Sequence, residues 1–261
     1  MNKFLCCASI CLVVMMVACN HHSREISFQR FEYEENPRAI SDTAEGSYIK
    51  LDMTLPLITD KDPAMKSIYD SLLSVYLQEM PIPSNPDSAL ILCGKLFNYF
   101  WSDSYSDWQG ELPATSQWEL TVHIDTLFVT DGIIAYYDSA FYYTGGAHGN
   151  PENRYYLFDR ETGARLSANE VFDMTPENKQ AIEDLLREVY RAQGCSEELG
   201  YWSEDNVYIP NNFFVDKDGM SFYYNVYEIA CYANGESVFT LTKEQLKPYM
   251  KRGTALYNYW F

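Results

Sequence analysis

The stretch Ala140–Phe172, AFYYTGGAHGNPENRYYLFDRETGARLSANEVF, decides how the rest of the chain is read. Phe141–Tyr143 and Arg154–Phe158 read as a pair of aromatic strands. A wide loop joins them, in which Gly145, Gly146, Gly149 and Pro151 surround His148. Glycine tolerates positive φ and close backbone approach, so this loop can bend sharply. Glu161-Thr162-Gly163 is a turn, and Ser167-Ala168-Asn169-Glu170 matches a capping box that opens a helical turn ending near Phe172. Strand, turn and helix in one run predict an α+β fold, with mixed and antiparallel sheets and packed helices.

Downstream, Thr175-Pro176 caps a helix whose buried face is Ile182, Leu185, Leu186 and Val189, and Gly194 ends it. Asn212–Val215 and Met220–Tyr224 read as a hairpin closed by Asp216-Lys217-Asp218-Gly219. Val238–Leu241 is a last strand, and Thr242–Gln245 is a capping box for a short helix broken by Pro248. Upstream, Trp118, Leu120, Val122 and Ile124 alternate as a half-buried strand does. Asp131-Gly132 is a hairpin turn before Ile134, Tyr136 and Phe141. A polar, turn-rich run near 102–113 marks a boundary. Before it lie a strand at Ile26–Tyr33 with a bulge, a second at Tyr48–Leu55 stopped by Pro56, and a helix opened by Asp62-Pro63. That helix presents Met65, Ile68, Leu72, Val75 and Tyr76. A further helix opens at Asn85-Pro86, with Leu90, Cys93, Phe97 and Trp101 as its stripe. The expectation is two closely associated subdomains, 26–112 and 113–261.

The N-terminus reads differently. Lys3 precedes the apolar run Phe4–Val17, which is too short to span a bilayer comfortably and ends at Ala18-Cys19. This resembles a bacterial lipobox. The resemblance implies a signal peptide over 1–18, lipid on Cys19, a tether over 19–25, and an exported chain anchored to the cell envelope, facing the periplasm or the exterior. His21 and His22 read as solvated tether. After cleavage only Cys93, Cys195 and Cys231 remain beyond the lipidated residue, so at most one disulfide forms. The chain of 261 residues is 47% hydrophobic, carries 22 tyrosines, and has a formal charge of -18. That charge argues against nucleic acid, whose phosphates need clustered cations. It suits a soluble surface and cationic partners.

Three passages carry a family resemblance: YYTGGAHG at 142–149 with YLFDRETGARLSANEVF at 156–172, FFVDKDGMSFYYNVYEIACYANG at 213–235, and VFTLTKEQL at 238–246. Together they resemble the extracellular domain of the bacterial anti-sigma factor RsiV, found also in PdaC-type peptidoglycan deacetylases. SYIKLDMTLPLI, at 47–58, is weakly similar to the domain preceding it there. In RsiV this module binds lysozyme, a basic protein, which an acidic module suits. The chain departs from RsiV in having no cytoplasmic anti-sigma segment or spanning helix, and from PdaC in having no deacetylase domain.

Candidate ligand-binding residues are Tyr143, Thr144, Gly145, Gly146, His148, Tyr155 and Tyr227. His148 suits a proton carrier, a metal ligand or a hydrogen-bond donor to a ligand. The blander reading, a structural imidazole that fixes the loop, is preferred. Asp216, Asp218 and Gly219 begin like a calcium loop but lack its later acidic ligand, so a hairpin turn is favoured. Glu228 is read as an ion-pair partner or the acceptor of a buried hydrogen bond, and Glu197, Glu198, Glu204 and Asp205 as an acidic surface run. No GxSxG, HExxH or phosphate-binding glycine loop is present. The sequence therefore assigns no catalytic residue, metal or cofactor. Three readings stay open: a lipid-anchored binding module for lysozyme or a cell-wall glycan, a glycan-acting enzyme using His148 and a carboxylate, and a structural envelope protein.

Overall fold

The computed structural model describes residues 27–35, 48–57, 62–77, 117–143 and 145–261. The signal peptide, Cys19, the Asn85-Pro86 helix with Cys93, and Thr144 lie outside them. β1 (Ser27–Glu35) and β2 (Tyr48–Leu57) pair antiparallel, in unbroken register from Ser27 opposite Leu57 to Glu35 opposite Ile49. The expected bulge is absent, because every β1 residue has one partner. β2 also continues through Pro56. That residue lies past Thr54, the last β2 residue paired with the next strand, so its missing N–H falls where the ladder is ending.

β3 (Gln117–Val129) runs parallel to β2, from Tyr48 opposite Gln117 to Thr54 opposite His123. β4 (Ile133–Tyr143) and β5 (Asn150–Asp159) complete a sheet ordered β1-β2-β3-β4-β5. β5 starts four residues earlier than the sequence reading placed it. Pro151 is tolerated because it is the second residue of an edge strand. A second, antiparallel sheet has the order β6 (Phe213–Val215), β7 (Gly219–Tyr224), β8 (Ser237–Thr242). The fold is α+β, as the sequence predicts.

The chain divides into two compact units. One includes β1, β2, β3 as far as Ile124, and Ala140–Gly149. The other is Asp62–Ile68, Asp125–Ser139 and Asn150–Phe261. In the first unit Leu51, Met53 and Leu55 are buried on one face of β2, and Val122 and Ile124 on one face of β3. Helix α1 (Pro63–Leu77) is capped by Asp62, whose Oδ1 accepts the Ala64 N–H at 2.9 Å. Its buried stripe is Met65, Ile68, Tyr69, Leu72 and Leu73. Val75, expected inside, is 38% exposed although it continues the 65, 68, 72 spacing; it lies in the last turn of the helix.

The second unit has one continuous core drawing Leu157, Phe172, Leu186, Phe222, Phe239 and Trp260 together. Each buried Phe contributes about 1.5–3 kcal/mol. Helix α2 is the single turn Ala168–Val171. Ser167 makes no side-chain cap there, contrary to the capping-box reading. Asn211 Oδ1 accepts the Ala168 N–H at 3.1 Å instead. Helix α3 (Pro176–Ala192) starts at Thr175, whose hydroxyl accepts the Asn178 N–H at 3.2 Å. It buries Ile182, Leu186 and Tyr190, and is followed by Gly194 at φ 75°. Helix α4 (Lys243–Leu246) has the expected reciprocal Thr242–Gln245 box. Helix α5 (Ala255–Trp260) follows, capped by Thr254, and Trp260 Nε1–H donates to the Asp216 carbonyl at 2.7 Å.

Candidate functional site

Four of the sequence candidates, Tyr143, Gly145, Gly146 and His148, lie at the end of β4 and in the loop that follows it. Gly145 and Gly146 have φ of 92° and 97°, and a Cβ on Gly149 would fall 2.1 Å from the Phe141 ring. The loop needs glycine for two different reasons, handedness and close approach. The Tyr143 hydroxyl donates to the Gly146 carbonyl at 2.9 Å. His148 is exposed, with Nδ1 3.0 Å from the Gly149 carbonyl. A carbonyl can only accept, so Nδ1 carries the proton in that contact. Tyr143 and His148 thus help hold the loop backbone.

Tyr155 and Tyr227 belong to the other unit, in separate settings. Tyr155 lies among Tyr137, Phe214 and Tyr223, with ring centroids 4.8–5.2 Å away. Burial raises the hydroxyl pKa of Tyr155 and, further, of Tyr223. Beside these rings, two asparagine amides do what a neighbouring strand would do for β5. Asn225 Oδ1 accepts the Asn153 N–H at 2.7 Å, and its Nδ2 donates to the Asn153 carbonyl at 3.1 Å. Asn212 Nδ2 donates to that same carbonyl at 2.8 Å, and its Oδ1 accepts the Tyr155 N–H at 2.8 Å. The Asn153 side chain accepts from the Tyr137 hydroxyl and donates to the Tyr223 hydroxyl and Glu236. Nearby, the fully buried Asp138 accepts from Arg154, which also pairs with Glu152. This cluster is hydrogen-bonded within itself and fastens β5 to the β6–β7 hairpin.

Tyr227 differs. It is the one non-glycine with positive φ among the described residues, at 69°, and it is 48% exposed. A side chain there crowds the following carbonyl, which costs roughly 1–2 kcal/mol. Such strain clusters at functional positions. Tyr227 packs on Tyr232, with ring centroids 5.6 Å apart. The 199–202 segment is laid alongside by the Trp202 N–H to Ile229 carbonyl bond at 2.9 Å and the Cys231 N–H to Gly200 carbonyl bond at 2.9 Å. It presents Leu199, 63% exposed, and Trp202, 41% exposed. Glu197 and Glu198 precede these residues, and Asp205 follows; all three are exposed. The result is an aromatic surface with an acidic margin. The sequence picked Tyr227 and the acidic run separately. The pairing of Tyr201 with Ala230 that joins them leaves no local signal.

Glu228, next to Tyr227, accepts the Asn225 N–H at 3.1 Å, and burial pushes its carboxyl above the ordinary 4.5. A raised folded-state pKa means the native protein binds the extra proton, so this contribution to stability is present at low pH and is lost as pH rises through the folded pKa. Glu228→Gln keeps the acceptor and removes the titration. Urea unfolding between pH 4 and 7 is expected to show wild type losing stability relative to the variant as pH rises. Parallel curves would remove the assignment.

The Asp216–Gly219 segment is a turn: Asp216 Oδ1 accepts the Asp218 and Gly219 N–H groups at 2.7 and 3.0 Å. Among the described residues no group of three acidic, histidine or cysteine side chains is placed to hold a metal. Cys195, buried, and Cys231, exposed, are free thiols.

Residues 169–244 match the family described as "Protein of unknown function (DUF3298)". No curated protein matches the chain. In three dimensions it is similar to a DUF3298 family member from Bacteroides fragilis NCTC 9343, with TM-score 0.70 and 22% identity over 87% of this chain and 94% of that one. It is also similar to a DUF3298 family protein from Pseudomonas aeruginosa PAO1, with TM-score 0.56 and 15% identity over 90% of this chain and 97% of that one. The asparagine clamps at 212 and 225 and the strained Tyr227 all fall inside the segment that matches the DUF3298 family model, and the chain shares its fold with the two bacterial structures.

Proposed function

We propose that this chain is a lipid-anchored binding module of the bacterial cell envelope, tethered through Cys19, whose partner is a basic protein such as lysozyme. The observation that carries this reading is Tyr227. Its backbone holds an unfavourable conformation while its ring stays exposed, on a stretch to which the segment bearing exposed Leu199 and Trp202 is joined by main-chain hydrogen bonds. Aromatic residues on a rigid surface are the usual anchors of protein interfaces. The carboxylates of Glu197, Glu198 and Asp205 at the margin suit lysine and arginine on the partner, and the net charge of -18 would speed the encounter. The resemblance to the RsiV extracellular module supports the choice of lysozyme.

The test is a calorimetric titration of residues 20–261 with lysozyme at physiological salt. Saturable binding, weakened about thirtyfold or more by Trp202→Ala, is expected for an anchor worth about 2 kcal/mol. Silence, or an unaffected Trp202→Ala variant, overturns the reading. A parallel titration with soluble muropeptides separates it from glycan recognition.

A further inference from the structure

A groove of about 530 Å³ opens on the second unit, between the β3–β4 turn, the end of β5 and helix α5. That volume lies in the range of small-molecule sites. Its walls include Thr130, Asp131, Asp159, Glu161, Asn258 and Tyr259. Tyr259 is exposed, and its ring is backed by Phe128 in a stacked arrangement at 6.3 Å.

The walls are fixed before any ligand arrives. Thr130 Oγ1 accepts the Gly132 and Ile133 N–H groups at 3.3 and 3.0 Å. Asp159 Oδ1 accepts from the Glu161 and Thr162 N–H groups and the Thr162 hydroxyl, at 2.8–3.0 Å. These bonds explain why Thr130 and Asp159 stand where they do. They do not explain Asp131 and Glu161, exposed carboxylates that make no ion pair among the described residues. The neighbouring cation, Arg160, donates to the Thr130 carbonyl at 2.8 Å. With Arg160 counted against three carboxylates, the groove keeps a negative surplus.

We infer that this groove binds a sugar bearing a protonated amine, a 2-amino-2-deoxyhexose unit, with its ring on Tyr259 and its ammonium between Asp131 and Glu161. Acidic residues alone would be a solvated turn. The cavity with an aromatic wall is what makes a site. A pyranose offers an apolar C–H face to an aromatic ring and hydroxyls to Asn258, and an ammonium gains from the ring as well as from the carboxylates. An anionic sugar would meet like charge, and a neutral one would leave the carboxylates without a counter-charge. The groove uses none of the residues proposed to meet lysozyme, so the two assignments stand or fall separately.

The experiment titrates the chain with the disaccharide of glucosamine and with its N-acetylated counterpart. The free amine is expected to bind at least about tenfold more tightly, which is about 1.4 kcal/mol. Asp131→Asn combined with Glu161→Gln, and separately Tyr259→Ala, are each expected to weaken it by a similar factor. These are surface changes that leave the core intact. Glu197→Gln with Glu198→Gln removes the same charge elsewhere and is expected to leave binding unchanged. No binding, equal binding of the acetylated sugar, or equal loss in that control overturns the site. Spermidine binding as tightly as the disaccharide overturns the sugar assignment.

Discussion

Asp138→Ala is expected to destabilise the protein by about 3–5 kcal/mol, the largest loss from any single polar side chain described above. Asp138 is 0% exposed, on β4. Its Oδ2 accepts from Arg154 Nη1 at 3.3 Å and lies 3.5 Å from the Tyr156 hydroxyl. Alanine strips a half-buried guanidinium of its innermost partner, and desolvation makes a charge so stranded expensive. Glu152 stays beside Arg154, which argues for the lower end of the range. Asp138→Asn keeps the shape and an acceptor but removes the charge, so it should fall between alanine and wild type. For a chain of this size, thermal melting should show a drop of roughly 6–20 °C for alanine. A shift under about 2 °C would show that the pair contributes nothing net.

The parts of this fold that could be read from sequence are those whose cause is local. Asp131-Gly132 announced the β3–β4 turn, Thr175-Pro176 the start of α3, and Thr242–Gln245 the box that opens α4, because each acts within three or four residues. Ser167–Glu170 has the same local signature and forms no side-chain cap. The competitor was Asn211, 43 residues away, and nothing in the 167–170 spacing records it. The same holds for the β5 edge. The amides that pair with it come from 57 and 72 residues downstream, and an isolated asparagine in sequence reads as a turn former. Helix α5 was missed because its aromatic run, ALYNYW, has no polar face to give a period.

The candidate site divides along the same line. The glycine-rich loop was conspicuous in sequence because glycine marks unusual backbone, and Gly145, Gly146 and Gly149 do have backbone reasons to be there. Tyr227 hides the same kind of reason behind a residue that normally avoids it. Trp202 lies 25 positions earlier, and its segment is joined to the 229–231 stretch by main-chain pairing that no local spacing records.

Tyr227 therefore offers the sharpest separation of stability from binding. Tyr227→Gly removes a side chain from a backbone with φ of 69°, where glycine carries no steric penalty. It also gives up the ring contact with Tyr232, worth about 0.5–1.5 kcal/mol in aromatic pairs and less at an exposed site. The relief and the loss are of similar size, so stability should stay within about 1 kcal/mol of wild type. Tyr227→Ala gives up the same ring and keeps the strain. It should therefore be less stable than the glycine variant by about 1 kcal/mol. If the ring is an anchor for a basic protein, both variants lose lysozyme affinity equally, by about thirtyfold or more. A merely structural tyrosine predicts the reverse ranking: affinity would follow stability, and the glycine variant would bind almost as wild type does. Paired urea unfolding and lysozyme titration of the two variants decide between them. Wild-type affinity in Tyr227→Gly would take the binding surface away from this residue, and equal stability of the two variants would show that its backbone stores no strain.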